Sequence, residues 1–351
     1  MKKIGFKMVN NEQKNDLVSY FLKDMKYHGR SERTRRWYGR VLRQFEDFVL
    51  SQGEKIDSIQ EATSRQCLRW LHMLREEHST GTIATYASCI NRFYTYMISI
   101  DIVDRNPMNV VMEEMNESIE SDPERRDISI AEMRSFIRNI THPLDRAIIT
   151  TFLKTGIRVG ELVNLDLRDL NINIEYTNFS NQPQCRPQIT HESNSIYITK
   201  DISYKDTING EKRLASNKRK RSTIIPVDEE LQFELERWLA IRPDSITTAQ
   251  PLFLNVNDSW GKRLTPSIIR SIIKKHAQRR EWYQEGGDAT QNVTPHYFRH
   301  FFTTHLRNAT GERGIVKYLR GDVADDIIDT YTHNWGNNVR ETYERSIYRL
   351  L

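Results

Sequence analysis

The stretch EEMNESIESDPERRDIS, residues 113 to 129, carries no apolar periodicity and is dominated by charge. Such a segment has nothing to bury, so it reads as a linker over 113–128 rather than as part of a core. It divides the chain into two lobes, 10–112 and 129–351, and a chain of 351 residues is long enough for two domains of ordinary size. Any fold has to close two separate cores, one on each side.

The first lobe has a single kind of pattern. NNEQKNDLVSYFLKDMKYHG ends on Gly29, and SERTRRWYGRVLRQFEDFVLSQG opens on Ser31 and stops at Gly53. In the second of these, Trp37, Val41, Leu42, Phe45, Phe48 and Val49 recur at the helical period. SRQCLRWLHMLREEH and GTIATYASCINRFYTYMISI repeat the pattern, so the lobe is expected to be a bundle of four short helices. Arg33, Arg35, Arg36, Arg40 and Arg43 lie beside the apolar stripe of the second helix. They form either a solvated face or a row that tracks phosphates.

The second lobe is mixed. HPLDRAIITTFLKTG and RVGELVNLDLRDL are helical, with a break at Gly156. Three β-branched runs follow, NINIEY, SIYITK and STIIPV, separated by long polar inserts. They predict a small three-stranded antiparallel sheet with long hairpin loops. Helices resume at DEELQFELERWLAI, at TPSIIRSIIKKHAQRR and at TPHYFRHFFTTHLRNATG, the last two with proline in the first helical position. The fold class is therefore α+β and mostly helical.

Composition narrows the function classes. With 38% hydrophobic and 28% charged residues the chain suits a soluble globular protein. No apolar run reaches membrane length, and the lysines of MKKIGFKMVNNEQKND are not followed by an apolar core. Neither a membrane partner nor a signal peptide is expected. Cys67, Cys89 and Cys185 are far apart and form no CxxC pair, which points to a reducing compartment and away from cysteine-held metal. The net charge of +5 favours a polyanionic partner.

The segment TPHYFRHFFTTHL places His296, Arg299 and His300 on one helix. His296 and His300 have the i, i+4 spacing of a zinc helix, but Tyr297 stands where a hydrolytic zinc site needs a glutamate, and a fixed cation between the histidines opposes a dication. A phosphate uses every residue better. The guanidinium of Arg299 offers a planar fork to non-bridging oxygens, and His296, three positions earlier, shares its face and can move a proton near neutral pH. Other parts of such a site are present. LKTGIRVGELVNLDL sets Arg158 just after the Gly156 break, with Leu162 and Leu165 anchoring the helix beneath it. SNKRKRSTIIPV supplies a basic loop, and LRGDVADDIIDTYTHNW a tyrosine near the end of the chain.

These segments, in this order, resemble the tyrosine recombinases, also called phage integrases, over nearly the whole chain. TGIRVGELVNL resembles the family's first arginine box, and HYFRHFFTTHL its H-x-x-R box. YLRGDVADDIIDTYTH resembles the segment with the last active-site position and the nucleophile, and the 32 positions from Arg299 to Tyr331 match the interval the family keeps there. The resemblance implies an N-terminal four-helix core-binding (SAM-like) domain and a C-terminal catalytic domain. It implies a site-specific recombinase that cleaves and rejoins duplex DNA through a covalent 3′-phosphotyrosine. The partners would be a double-stranded DNA recombination site and further copies of the chain, as a tetramer on DNA. No small-molecule substrate, cofactor or metal is implied, and the place of action would be the cytoplasm, on the nucleoid.

By the same resemblance Tyr331 is the nucleophile, Arg158 and Arg299 clamp the scissile phosphate, and His296 takes or relays the tyrosine proton. A lysine of the basic loop protonates the leaving 5′-oxygen. The family pattern resembles G-K-G-x-K-x-R before an apolar strand ending in proline. Counting back eight from Pro226 gives Lys218, with Lys220 the second candidate. Glu161 would buttress the first arginine box. Asp322 departs from the family, which has histidine or tryptophan at that active-site position. Asp322 either caps the following helix or pairs with an arginine or the lysine. Tyr343 is a rival nucleophile by type but not by spacing. Two other readings remain: a DNA-binding regulator of this fold with impaired chemistry, and a type IB topoisomerase-like enzyme. In the tail, Val339, Tyr343, Ile347 and Leu350 form one apolar stripe that packs either on its own lobe or, as in the family, on a neighbouring protomer.

Overall fold

The computed structural model describes residues 16–52, 57–117, 125–173, 184–322 and 335–351. The chain forms two compact units, Met1–Asp122 and Pro123–Leu351.

In the first unit α1 spans Leu17–Tyr27, α2 Glu32–Ser51, α3 Ser64–Glu77, α4 Thr80–Ser99 and α5 Met108–Glu114. The four longer helices are those the periodicity predicts. The fifth is too short to show a repeating stripe, but Met108 and Val111 are buried against the others, and it extends the unit into the stretch expected to be linker. Side chains start the helices by satisfying free backbone donors. Asp16 accepts from the Ser19 amide at 2.9 Å, Ser31 from Thr34 at 3.1 Å, and Thr63 forms a reciprocal box with Gln66. The core holds Phe21, Val41, Leu42, Phe45, Trp70, Ile90, Phe93 and Met97, with Phe45 packed edge-on to Trp70 at 5.1 Å. The Tyr94 hydroxyl donates to the Ile59 carbonyl at 2.6 Å, which allows a phenol to be buried there. Cys67 and Cys89 are core residues whose thiols burial pushes up to about 12. On α2, Arg43 is held by Asp16 and by Glu46 at 2.6 Å and Arg36 pairs with Glu32, whereas Arg33 and Arg40 are exposed.

In the second unit α6 spans Ile130–Arg138, α7 Pro143–Thr155, α8 Val159–Asn164, α9 Glu229–Ile241, α10 Pro266–Gln278, α11 Pro295–Thr310, α12 Arg313–Arg320 and α13 Trp335–Ser346. Helix α7 is buried on all sides, and α9 and α11 pack against it. The strands are β1 Leu170–Asn171, β2 Ser195–Ile198, β3 Thr207–Ile208, β4 Glu211–Lys212 and β5 Thr223–Pro226. The expected sheet is β1-β2-β5, antiparallel throughout, with Ile196 opposite both Leu170 and Ile225. The loop between β2 and β5 carries its own small hairpin, β3-β4, which the sequence pattern does not announce. A buried knot fixes it: Arg213 and Arg263 both bind Asp166, at 2.6 Å each, and Arg263 also binds Glu211.

The tail packs on its own lobe. Val339, Tyr343 and Leu350 are buried in the same core as α7 and α11. The Tyr343 hydroxyl donates to the Lys154 carbonyl at 2.8 Å, so the rival tyrosine is a core residue. Lys154, with no exposed side-chain area, donates to the Tyr348 carbonyl and to the carboxylates of Asp228 and Glu230, all at 2.6 Å. Glu230 in turn accepts from the Leu350 and Leu351 amides. No helix among the described residues is long and apolar enough to cross a membrane.

Replacing Lys154 strands two carboxylates that α9 and the tail keep from water. Lys154→Met is expected to lower the unfolding free energy by about 3–5 kcal/mol in urea titrations at neutral pH. A change below about 1 kcal/mol would mean that the ammonium does not hold the tail.

Candidate active site

Gly156 ends α7 in the left-handed conformation, φ 61°, which a residue without Cβ adopts freely. A Cβ there would collide with the Phe302 ring, so the glycine also lets α11 approach the end of α7. Two residues on, Arg158 opens α8. Its backbone N–H donates to Glu161 Oε2 at 2.9 Å and its Nη1 to Glu161 Oε1 at 3.1 Å. Glu161 is wholly buried, so its carboxylate fixes both the helix start and the direction of the arginine.

From α11, Arg299 enters the same place. It is 2% exposed, and each contact answers a desolvated N–H. Nη1 donates to the Gly156 carbonyl at 2.7 Å, and both terminal nitrogens lie 3.2 Å from the Arg320 carbonyl. Nη2 donates to Asp322 at 2.8 and 2.9 Å. Burial and then the Arg158 guanidinium push the Arg299 pKa down to about 9, which leaves it charged at neutral pH.

Asp322 is where the two arginines meet. It accepts from Arg158 Nη2 at 2.6 Å and from Arg299, and its second oxygen lies 2.9 Å from Arg320 Nε. Of the alternatives open in the sequence, pairing with arginine is present, and the helix it would cap lies outside the described residues. Burial works to raise its pKa, but Arg299, Arg320 and Arg158 outweigh it and hold the carboxyl below its usual range. His296 lies one turn before Arg299, with an exposed side chain. Desolvation by the surrounding protein, then Arg125, Arg299, Arg320 and Arg158, keep its imidazole below the ordinary range.

The loop entering β5 reaches the same corner. The Lys220 amide donates to the Gly321 carbonyl at 2.9 Å, and Asn164 Nδ2 holds Asn217 Oδ1 at 2.9 Å. Lys218 and Lys220 are exposed, and Arg219 between them is buried. Tyr331 lies outside the described residues. Among the predicted residues, then, Arg158, Arg299 and Asp322 are in direct contact. His296 stands among the same cations, and the lysine loop is tied to the residue before Asp322. Sequence reasoning passed over Arg320 and Arg219. Arg320 has no motif to mark it, and nothing in KRKR separates the buried Arg219 from its exposed neighbours.

Chemically, such a corner can hold an anion: two guanidiniums converge on the carboxylate oxygens of Asp322, with an imidazole among the same cations.

Residues 129–337 match the model of the phage integrase family, and residues 18–101 that of the phage integrase N-terminal SAM-like domain. The tyrosine recombinase XerC of Pelotomaculum thermopropionicum is 26% identical over 288 residues, 78% of this chain and 78% of the relative. The XerC recombinase of Thermodesulfovibrio yellowstonii is 24% identical over 343 residues, covering 94% and 95%. Among solved structures, the Tn1549 transposon integrase in complex with a circular intermediate DNA superposes with a TM-score of 0.63 at 18% identity, covering 94% of this chain and 99% of that one. A lambda integrase tetramer bound to a Holliday junction gives 0.59 at 11% identity, covering 88% and 77%. At these identities the structures establish a shared fold. The family models span both lobes, the catalytic one alone covering 129–337 of 351 residues, and on that match the chain belongs to the phage integrase family.

Proposed function

We propose that the chain is a site-specific recombinase that cleaves and rejoins duplex DNA through a 3′-phosphotyrosine. The observation that carries this reading is the grip of Arg158 and Arg299 on the Asp322 carboxylate, at 2.6–2.9 Å. A carboxylate presents two oxygens to two guanidiniums as a phosphodiester presents its non-bridging pair. The solved relatives held on DNA support a duplex as partner, and the lambda integrase tetramer on a junction supports assembly of several copies there.

In this reading Tyr331 Oη attacks the scissile phosphorus, the Oη–P bond forms and the P–O5′ bond breaks. Arg158 and Arg299 carry the charge that develops on the non-bridging oxygens. His296, whose imidazole desolvation and then the neighbouring arginines hold below its ordinary range, accepts the tyrosine proton. Lys218 protonates the departing 5′-oxygen, with Lys220 as the alternative donor. Attack of a 5′-hydroxyl on the phosphotyrosine reverses each step and seals the strand. Asp322 occupies the last active-site position as a ligand of the arginines, and incoming phosphate competes with it for their N–H groups.

Asp322 also favours a second reading, a DNA-binding regulator whose phosphate clamp is kept filled by its own carboxylate. A nicked suicide duplex from the DNA that encodes the chain separates the two. The recombinase forms a covalent adduct that survives denaturation, and Tyr331→Phe abolishes it while DNA affinity stays within about threefold; the regulator binds without any adduct. An adduct mapped to another tyrosine would remove Tyr331 from the mechanism.

Asp322→Asn keeps the size of the side chain and removes the competing charge. Adduct formation is expected to accelerate about tenfold, equivalent to about 1.4 kcal/mol of barrier. A tenfold loss instead would assign the carboxylate a direct part in the reaction. Because the folded protein lowers the His296 pKa, the imidazole is already unprotonated at neutral pH. The cleavage rate should therefore be flat above about pH 6.5 and fall as pH drops through the lowered value. His296→Gln should lower the plateau by about 10²–10⁴ and remove that fall. A rate that keeps rising between pH 7 and 9 would point to a different base.

A further inference from the structure

Arg219 stands where the family pattern has its second glycine, inside a run that reads as a solvated basic turn. Its side chain has no exposed area. Its Nη2 donates to the Leu319 carbonyl at 2.7 Å and its Nη1 to Thr223 Oγ1, and its Nε lies 3.2 Å from Glu161 Oε1. That oxygen of Glu161 also accepts from Arg158. One guanidinium thus touches the start of β5, the end of α12 and the carboxylate that aims the first arginine. Neighbouring features fit the same junction. Gly321 has φ 66°, and a Cβ on it would lie 2.6 Å from Arg219 Nε, so only glycine leaves the guanidinium its place. Gly160 lets the loop approach α8, since a Cβ there would stand 2.6 Å from the Ser216 carbonyl.

The alternation through 218–220 does the rest. With Arg219 turned inward, Lys218 and Lys220 are both turned outward. The register of the loop against the clamp then rests on the arginine between them. A lysine in its place has one compact ammonium and cannot meet three segments in the planar fork that a guanidinium provides.

We propose that Arg219 is a positioning residue: it registers the lysine-bearing loop against the Arg158–Arg299 clamp, so that the loop's acid reaches the leaving 5′-oxygen. The inference rests on the phosphotyrosine reading, and it concerns the leaving-group half of the step. In that half the P–O5′ bond breaks and a lysine proton goes to the oxygen. A 5′-bridging sulfur departs as a thiolate and needs no proton.

The test measures single-turnover adduct formation by the full chain on two suicide duplexes, one with the natural phosphodiester and one with a 5′-bridging phosphorothiolate. DNA affinity and thermal unfolding are followed in parallel. Arg219→Lys is expected to slow the phosphodiester reaction at least about 30-fold, within the 10²–10⁴ that a general acid supplies. The sulfur substrate should react within about threefold of the wild-type rate, with DNA affinity unchanged. Thr223→Val, which removes one contact without changing volume, should give the same pattern in weaker form and serves if Arg219→Lys does not fold. Equal slowing on both duplexes would overturn the proposal, because the guanidinium would then act on the clamp or the fold rather than on the acid. Full rates on both would overturn it as well. Absence of an adduct from the wild-type chain on either duplex would instead defeat the phosphotyrosine reading, and this inference with it.

Discussion

The second lobe is organised around one desolvated guanidinium. A cation as buried as Arg299 is tolerated only when its N–H groups are met, and the chain meets them with backbone as much as with charge. The Gly156 carbonyl comes from the turn between α7 and α8, the Arg320 carbonyl from the end of α12, and the Asp322 carboxylate from just beyond it. Two segments far apart in sequence are thereby fixed at hydrogen-bond distance from one side chain. The close approach of Phe302 to Gly156 makes this possible, so helix packing and site geometry are the same constraint seen from two sides.

Much of this was legible in the chain before any coordinates. Arg158, Glu161 and Arg299 could be read because their segments resemble the boxes of a known family, and the three-strand sheet announced itself in β-branched runs. What escaped depends on tertiary contact. Nothing in LRGD distinguishes Arg320 from a surface arginine, and the partner of Asp322 is settled only when α8 and α11 meet. Lys154 sits in an unremarkable FLKTG, and its burial follows from Asp228 and Glu230 lying far along the chain. An apolar stripe such as that of Val339 and Tyr343 reads alike whether its own lobe or a neighbour covers it. The helix Met108–Glu114 was missed because fewer than two turns carry no period.

The site is partly neutralised and stays basic, with four guanidiniums sharing two carboxylates. Glu161 serves Arg158 and Arg219, and Asp322 serves Arg158, Arg299 and Arg320. Pairing of this kind keeps several guanidiniums together without a ligand, which unpaired like charges would oppose. It also sets the cost of admitting another anion. The two carboxylates differ in kind: Glu161 is enclosed, whereas Asp322 is a quarter exposed and sits at the mouth. An exchange of partners on binding would therefore fall on Asp322.

The cis packing of the tail sets a length. Asp322 is held at the arginines and Val339 is buried in the core of the same lobe, so the chain between them is moored at both ends. Tyr331 is nine residues from the first mooring and eight from the second. In the proposed reaction, so short a tether favours the chain's own tyrosine at its own clamp. Exchange of nucleophiles between copies would then require a docked interface and not mere encounter.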